Sequence, residues 1–126
     1  MRPVASMRAL LGLGDAEGGT DHWWGQRISG IALVFLGLWI VTAVLSLPGL
    51  EYHIVVEFVD RPLNNVLLSL LCLAAAYHSN LGVQVVIEDY VHASALNKAS
   101  LMISRIAHFL LAVVTVYAVI RIGNGA

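Results

Sequence analysis

One cysteine, Cys72, stands in a chain of 126 residues, and it lies inside an apolar run. That excludes an internal disulfide framework and any cysteine-built zinc or iron–sulfur centre, so a metal held here falls to histidine. Charge is scarce as well. Only 12% of the residues are charged while 59% are hydrophobic, about half the charged share of an ordinary soluble domain. A water-soluble fold of this size could not cover its surface. Neither sign dominates: 7 basic and 8 acidic residues leave a net charge of −1. No positive excess exists to neutralise a phosphate backbone, which speaks against nucleic acid as a partner. No internal repeat divides the chain, and one compact membrane domain is the economical description.

What is abundant is long apolar sequence. A spanning helix needs roughly 20 mostly apolar residues, because the hydrocarbon core is about 30 Å thick and each residue advances about 1.5 Å. Three segments meet this, and they predict an all-α membrane protein with three transmembrane helices at about 28–47, 63–87 and 99–120. The first is uncharged and ends near Pro48-Gly49. The second is uncharged between Arg61-Pro62 and Glu88-Asp89. The third carries one charge, Arg105, near its start, where a long side chain can snorkel to the interface. Residues 1–27 form an N-terminal cytoplasmic or interfacial segment ahead of the anchor domain, 28–126. Arg8 interrupts the apolar stretch of the N-terminus, so it reads as retained and not as a secretion signal. Residues 14–20 (GDAEGGT) read as a flexible hinge. The paired indoles Trp23 and Trp24 suit the headgroup level, and Tyr52 suits the opposite face.

Lys and Arg in the short flanks set the orientation. Arg2, Arg8, Arg27, Lys98 and Arg105 fall on one side, Arg61 and Arg121 on the other. Five against two places the N-terminus in the cytoplasm, or in the matrix of an organelle, and the second helix then runs from outside to inside.

That second span carries Tyr77, His78, Ser79, Asn80 and Gln84 at membrane depth, where polar groups need partners. His78, Gly82, Val85 and Asp89 share one stripe of the helix, and Gly82 leaves a gap beside the imidazole for a flat cofactor or a neighbouring helix. The plain account of His78 is a neutral ring hydrogen-bonded between helices. The sharper one is an axial ligand to haem iron, since imidazole is a usual nitrogen donor and a porphyrin fits between helices. Glu88 and Asp89 sit at a helix C-terminus, where the macrodipole disfavours negative charge, and Tyr90 follows. These are a solvated helix end with an aromatic-belt residue, or a site. Arg27 opens the first span and serves either positive-inside anchoring or an ion pair to Asp89 or a cofactor carboxylate; His22 could join it. His53 and His92 fit exposed loops. His108, in the third span, could share the depth of His78, which keeps an intrachain pair of imidazoles in view beside a neutral packed histidine.

Together, HWWGQRISGIAL at 22–33 and YHSNLGVQVVIEDYVH at 77–92 resemble the hydrophobic membrane anchor subunit of succinate dehydrogenase, the smaller anchor that stands beside a cytochrome b subunit. The resemblance covers nearly the whole chain. It implies a subunit that is not catalytic alone and that links the tricarboxylic acid cycle to the respiratory chain. His78 matches the haem b axial ligand, with the second ligand expected from the sibling subunit. Tyr90 matches the tyrosine that hydrogen-bonds the ubiquinone head group, Asp89 the neighbouring acid, and Arg27 the arginine near the haem propionates. The implied partners are the sibling cytochrome b subunit, an iron–sulfur subunit and a flavoprotein subunit. The implied location is the cell inner membrane, or the mitochondrial one. Two alternatives remain: the anchor of a fumarate reductase-type complex, and a small cofactor-free transport or structural membrane protein.

Overall fold

A computed structural model describes residues 19–125. Four helices account for nearly all of them: α1 Gly19–Leu45, α2 Tyr52–Asp60, α3 Pro62–Tyr90 and α4 Ser94–Gly123. Among the described residues there is no strand. α1, α3 and α4 are each long and apolar enough to cross a membrane, as the three apolar runs predict. All three are longer than those runs. α1 begins at Gly19, so the polar residues before Ile28 continue its helix, and the boundary drawn at residue 27 falls inside one continuous element. Most of the hinge expected at 14–20, like the rest of the N-terminal segment before Gly19, lies outside the described residues.

The helix ends follow from local chemistry. α1 stops at Leu45, just before a turn that leads to Pro48, whose ring disfavours helical geometry in the residue before it. Arg61 is held extended (φ −64°, ψ 125°) between α2 and α3 because Pro62 follows it, and Pro62 is well suited to the first helical position of α3. The α3–α4 turn is fastened by Asn97, whose side-chain amide donates to the carbonyls of Val91 (2.8 Å) and Ile87 (3.4 Å). Hydroxyls along the spans are satisfied by their own helix: Thr42 donates to Leu38 O and Thr115 to Leu111 O, which removes their need for water in an apolar setting.

α2 is an element that the apolar runs do not announce. Its nine residues bury Val59 and set Phe58 against Trp39 of α1, with ring centroids 6.1 Å apart. Tyr52 opens it and is 80% exposed. His53 lies on this helix and is exposed, while His92 is exposed in the α3–α4 turn. Asn65 joins three elements: its amide donates to Val119 O of α4 (2.8 Å) and to Val59 O of α2 (3.3 Å), and Gly123 leaves it room.

α3 lies at the centre. α1 and α4 both pack on it and do not pack on each other. The bundle is therefore open, and little is enclosed: among the described residues only Val59, Ala76, Leu81 and Ser29 are buried. Large side chains face outward along every span, including Phe35, Leu38, Phe109 and Val114. Contiguous apolar surface on this scale requires lipid or another subunit against it.

Candidate functional site

The polar middle of α3 separates into two sites on different faces, because successive helix residues are turned about 100° from one another. His78 faces α1 and Ser79 faces α4.

On the first face, α1 offers Gly25, Gln26, Ser29 and Gly30 to Tyr77, His78, Leu81 and Gly82. The small residues permit close approach. A Cβ at Gly25 would lie 2.6 Å from the Tyr77 hydroxyl and one at Gly30 would lie 3.3 Å from Cε1 of His78. Ser29 is the one buried polar residue among those described. Its hydroxyl is 2.7 Å from Gly25 O and 2.9 Å from Nδ1 of His78. A hydroxyl has one proton. Placed on the shorter contact, it goes to Gly25 O, so Nδ1–H of His78 donates to Ser29 Oγ. Nε2 is then the nitrogen left to accept. Gln26 Nε2 donates to that nitrogen over a long 3.4 Å, while Gln26 Oε1 is buried without a partner. Gly82, expected to leave a gap, faces this same amide at 3.8 Å. Just outside, His22 Nε2 donates to Leu81 O at 3.2 Å. Below Ser29, Gly25, Ile28, Ser29, Ala32, Leu36, Leu70, Leu73, Ala74 and Tyr77 line an apolar groove of about 510 Å³ between α1 and α3.

On the second face, His108 of α4 has both ring nitrogens used. Nδ1–H donates to Ser104 O at 2.8 Å, and the Ser79 hydroxyl donates to Nε2 at 3.0 Å. His108 also lines a smaller cleft with Tyr77, Asn80, Arg105 and Phe109. The two imidazoles thus serve opposite neighbours of α3, and the intrachain pair considered from depth alone is not assembled.

The remaining candidates stand at the end of α3. Asp89 and Tyr90 are exposed on its last turn, Tyr90 at 79%. Being on one helix with His78, they lie about 16 and 18 Å along its axis from the imidazole. Glu88 accepts from Gln84 Nε2 at 2.8 Å, so the acid with a partner is not Asp89. Arg27 is exposed, with its guanidinium 4.8 Å above the Trp23 ring. It makes no ion pair with Asp89; among the described residues the one ion pair is Arg61–Glu57 at 3.5 Å. No cluster of three or more metal-ligating side chains forms among the described residues.

Residues 1–120 match the family described as the succinate dehydrogenase/fumarate reductase transmembrane subunit. The chain belongs to this family. Among its relatives, the succinate dehydrogenase hydrophobic membrane anchor subunit of Rickettsia bellii is 33% identical over 84% of this chain and 85% of its own length. The one from Paracoccus denitrificans is 29% identical over 100% of this chain and 97% of its own length, and that of Rickettsia prowazekii is 29% identical over 86% of each. A transmembrane subunit of this family is a multi-pass membrane protein, which accounts for the three apolar helices and the open bundle.

Ser29, Gln26 and Gly30, which surround the His78 ring, were not among the residues expected from the sequence. One signal was available. Gly25 and Ser29 stand four residues apart, a spacing of small residues that marks a close helix–helix contact, and the contact falls on the neighbours of His78.

Proposed function

We propose that this subunit anchors a succinate dehydrogenase in the cell inner membrane, contributes His78 as one axial ligand to haem b, and forms with Tyr90 and Asp89 one wall of a ubiquinone-reduction site. The observation that carries the haem assignment is the pairing of the His78 ring: Nδ1 lies 2.9 Å from Ser29 Oγ, while Nε2 has only a 3.4 Å contact. A ligating histidine ordinarily donates its other ring N–H in this way. The 3.4 Å neighbour at Nε2 is an amide whose own oxygen lacks a partner, so moving it aside sacrifices little. Gly30 and Gly82 keep bulk away from the ring and the amide. The donor set therefore fits the group, with the second ligand from the sibling cytochrome b subunit.

Haem b, when bound, supplies a one-electron redox centre. The chain's residues hold and orient. His78 would hold the haem iron through Nε2, and Arg27, in the N-terminal third of α1, would offer its guanidinium to the propionates. At the end of α3, the Tyr90 phenol donates a hydrogen bond to a quinone carbonyl, polarising it, and Asp89, with water, relays protons from the cytoplasmic face to the reduced oxygen. The exposure of both side chains supports a site completed by other subunits: the iron–sulfur subunit, with the flavoprotein behind it, on the cytoplasmic side with the N-terminus. That the relatives are succinate dehydrogenase anchor subunits favours succinate oxidation over the fumarate-reducing direction.

The competing reading is a cofactor-free polar clasp, favoured by the partners that both ring nitrogens of His78 already have within the chain. The intact complex carrying His78→Ala separates the two. Loss or alteration of a low-spin bis-histidine absorption spectrum supports the ligand role, and an unchanged spectrum rejects it. For the quinone site, Tyr90→Phe should weaken ubiquinone binding by about 1 kcal/mol, the worth of one hydrogen bond. An unchanged KM and turnover for quinone would reject the assignment.

A further inference from the structure

We infer that Ser29 is the positioning residue for His78: its hydroxyl selects the ring nitrogen left to coordinate and sets how strongly the imidazole donates to iron. This rests on the haem reading above. Three observations lead to it. Ser29 is buried, at 6% exposure, in a bundle that buries almost nothing. Its hydroxyl is used twice, donating to Gly25 O at 2.7 Å and accepting from Nδ1–H of His78 at 2.9 Å. Its neighbour Gly30 lies against the edge of the same ring, where a Cβ would come within 3.3 Å of Cε1. Hydroxyl and glycine together fix both the tautomer and the ring plane.

The chain of polarisation has a sign. An imidazole whose N–H donates to an oxygen is more electron-rich at the other nitrogen and a better donor to a metal. A better donor stabilises the ferric state relative to the ferrous, so the hydrogen bond to Ser29 lowers the haem potential. A serine that merely satisfied itself against its own helix would need only Gly25 O.

The test uses the intact complex with three variants: His78→Ala, Ser29→Ala and Ser29→Thr. The readouts are haem content, the low-spin ferric resonance spectrum and the midpoint potential by reductive titration. The expectation is that Ser29→Ala keeps haem but shifts the ferric/ferrous affinity ratio by up to about tenfold, an upward change of about 59 mV for one electron, with a changed ferric spectrum. Ser29→Thr, which keeps the hydroxyl, should restore both. Where His78→Ala abolishes the haem signal and Ser29→Ala leaves potential and spectrum as in the parent, the positioning role of Ser29 is overturned while the ligand role stands. If His78→Ala retains the parental haem spectrum, the haem reading itself falls. Should Ser29→Ala fail to assemble, Ser29→Cys, whose thiol is a much weaker hydrogen-bond partner, takes its place: a raised potential with a changed ferric spectrum upholds the hydroxyl's role, and parental values of both overturn it.

Discussion

The two faces of α3 carry the same parts and differ in how they are finished. Each has one histidine and one interhelical serine contact, and in each Nδ1 of the ring is bonded to an oxygen. At His108 everything is used: one nitrogen donates to a carbonyl at 2.8 Å and the other accepts from a hydroxyl at 3.0 Å. At His78 one nitrogen is firmly held, the other has a long contact, and the amide making that contact has an orphaned buried oxygen. A closed polar network ties helices together. An open one, where desolvated groups are left short of partners at a cost of about 1–3 kcal/mol each, marks a place where something else completes the set.

Several substitutions would break or sharpen this contrast. The largest effect is expected from Gly30→Leu, which drives a side chain into the His78 ring; overpacking costs about 1–3 kcal/mol, and haem absorbance should vanish from the purified complex while the α3–α4 side keeps its resistance to proteolysis. Next comes Asn65→Ala, which releases the carbonyls of Val119 and Val59 from a shared donor. We expect roughly 1 kcal/mol of destabilisation, read as a lower thermal midpoint in detergent with an unaltered haem spectrum. His108→Gln tests the closed site. Interhelical hydrogen bonds in membranes are worth about 0.6 kcal/mol on average, so stability should fall slightly and the spectrum should not move; a spectral change would place His108 in the haem site. The smallest effect belongs to Glu57→Gln. Its ion pair with Arg61 is solvent-facing at 3.5 Å, worth about 0.3–0.5 kcal/mol at most, and the thermal midpoint should stay within error.

Much of this architecture was legible. Three uncharged or nearly uncharged runs can do little else than span, and α1, α3 and α4 contain them. Tyr90 and Asp89 at the last turn of α3 followed from counting along one helix. α2 was not legible, because a nine-residue segment with Glu57 and His53 in it has neither the length of a span nor the polarity of a loop; packing against α3 and α4 and the stacking of Phe58 on Trp39 hold it. The stripe through His78 and Gly82 was correct as a stripe. Its occupant was not foreseen, since Gln26 reaches it from another helix. The one signal for Ser29 was its four-residue spacing from Gly25, easily passed over because a serine in an apolar helix ordinarily bonds back to its own turn. An ion pair of Arg27 with Asp89 was one option left open by their sharing a membrane side, a condition that leaves the lateral distance between α1 and the end of α3 undetermined; Arg27 stacks on Trp23 one turn away.

The amino-acid order alone settled that this chain crosses a membrane three times and carries its polar load in the middle of the second crossing, since hydrocarbon thickness and helix rise leave few other solutions for such runs. The tertiary structure decided that the second crossing is the central one, with the flanking helices kept apart, and hence that His78 meets Ser29 while His108 meets Ser79. Helical periodicity fixes where a side chain points on its own helix. Which neighbour stands there is decided by packing, where small residues such as Gly25 and Gly30 let one backbone approach another closely enough for two side chains to hydrogen-bond.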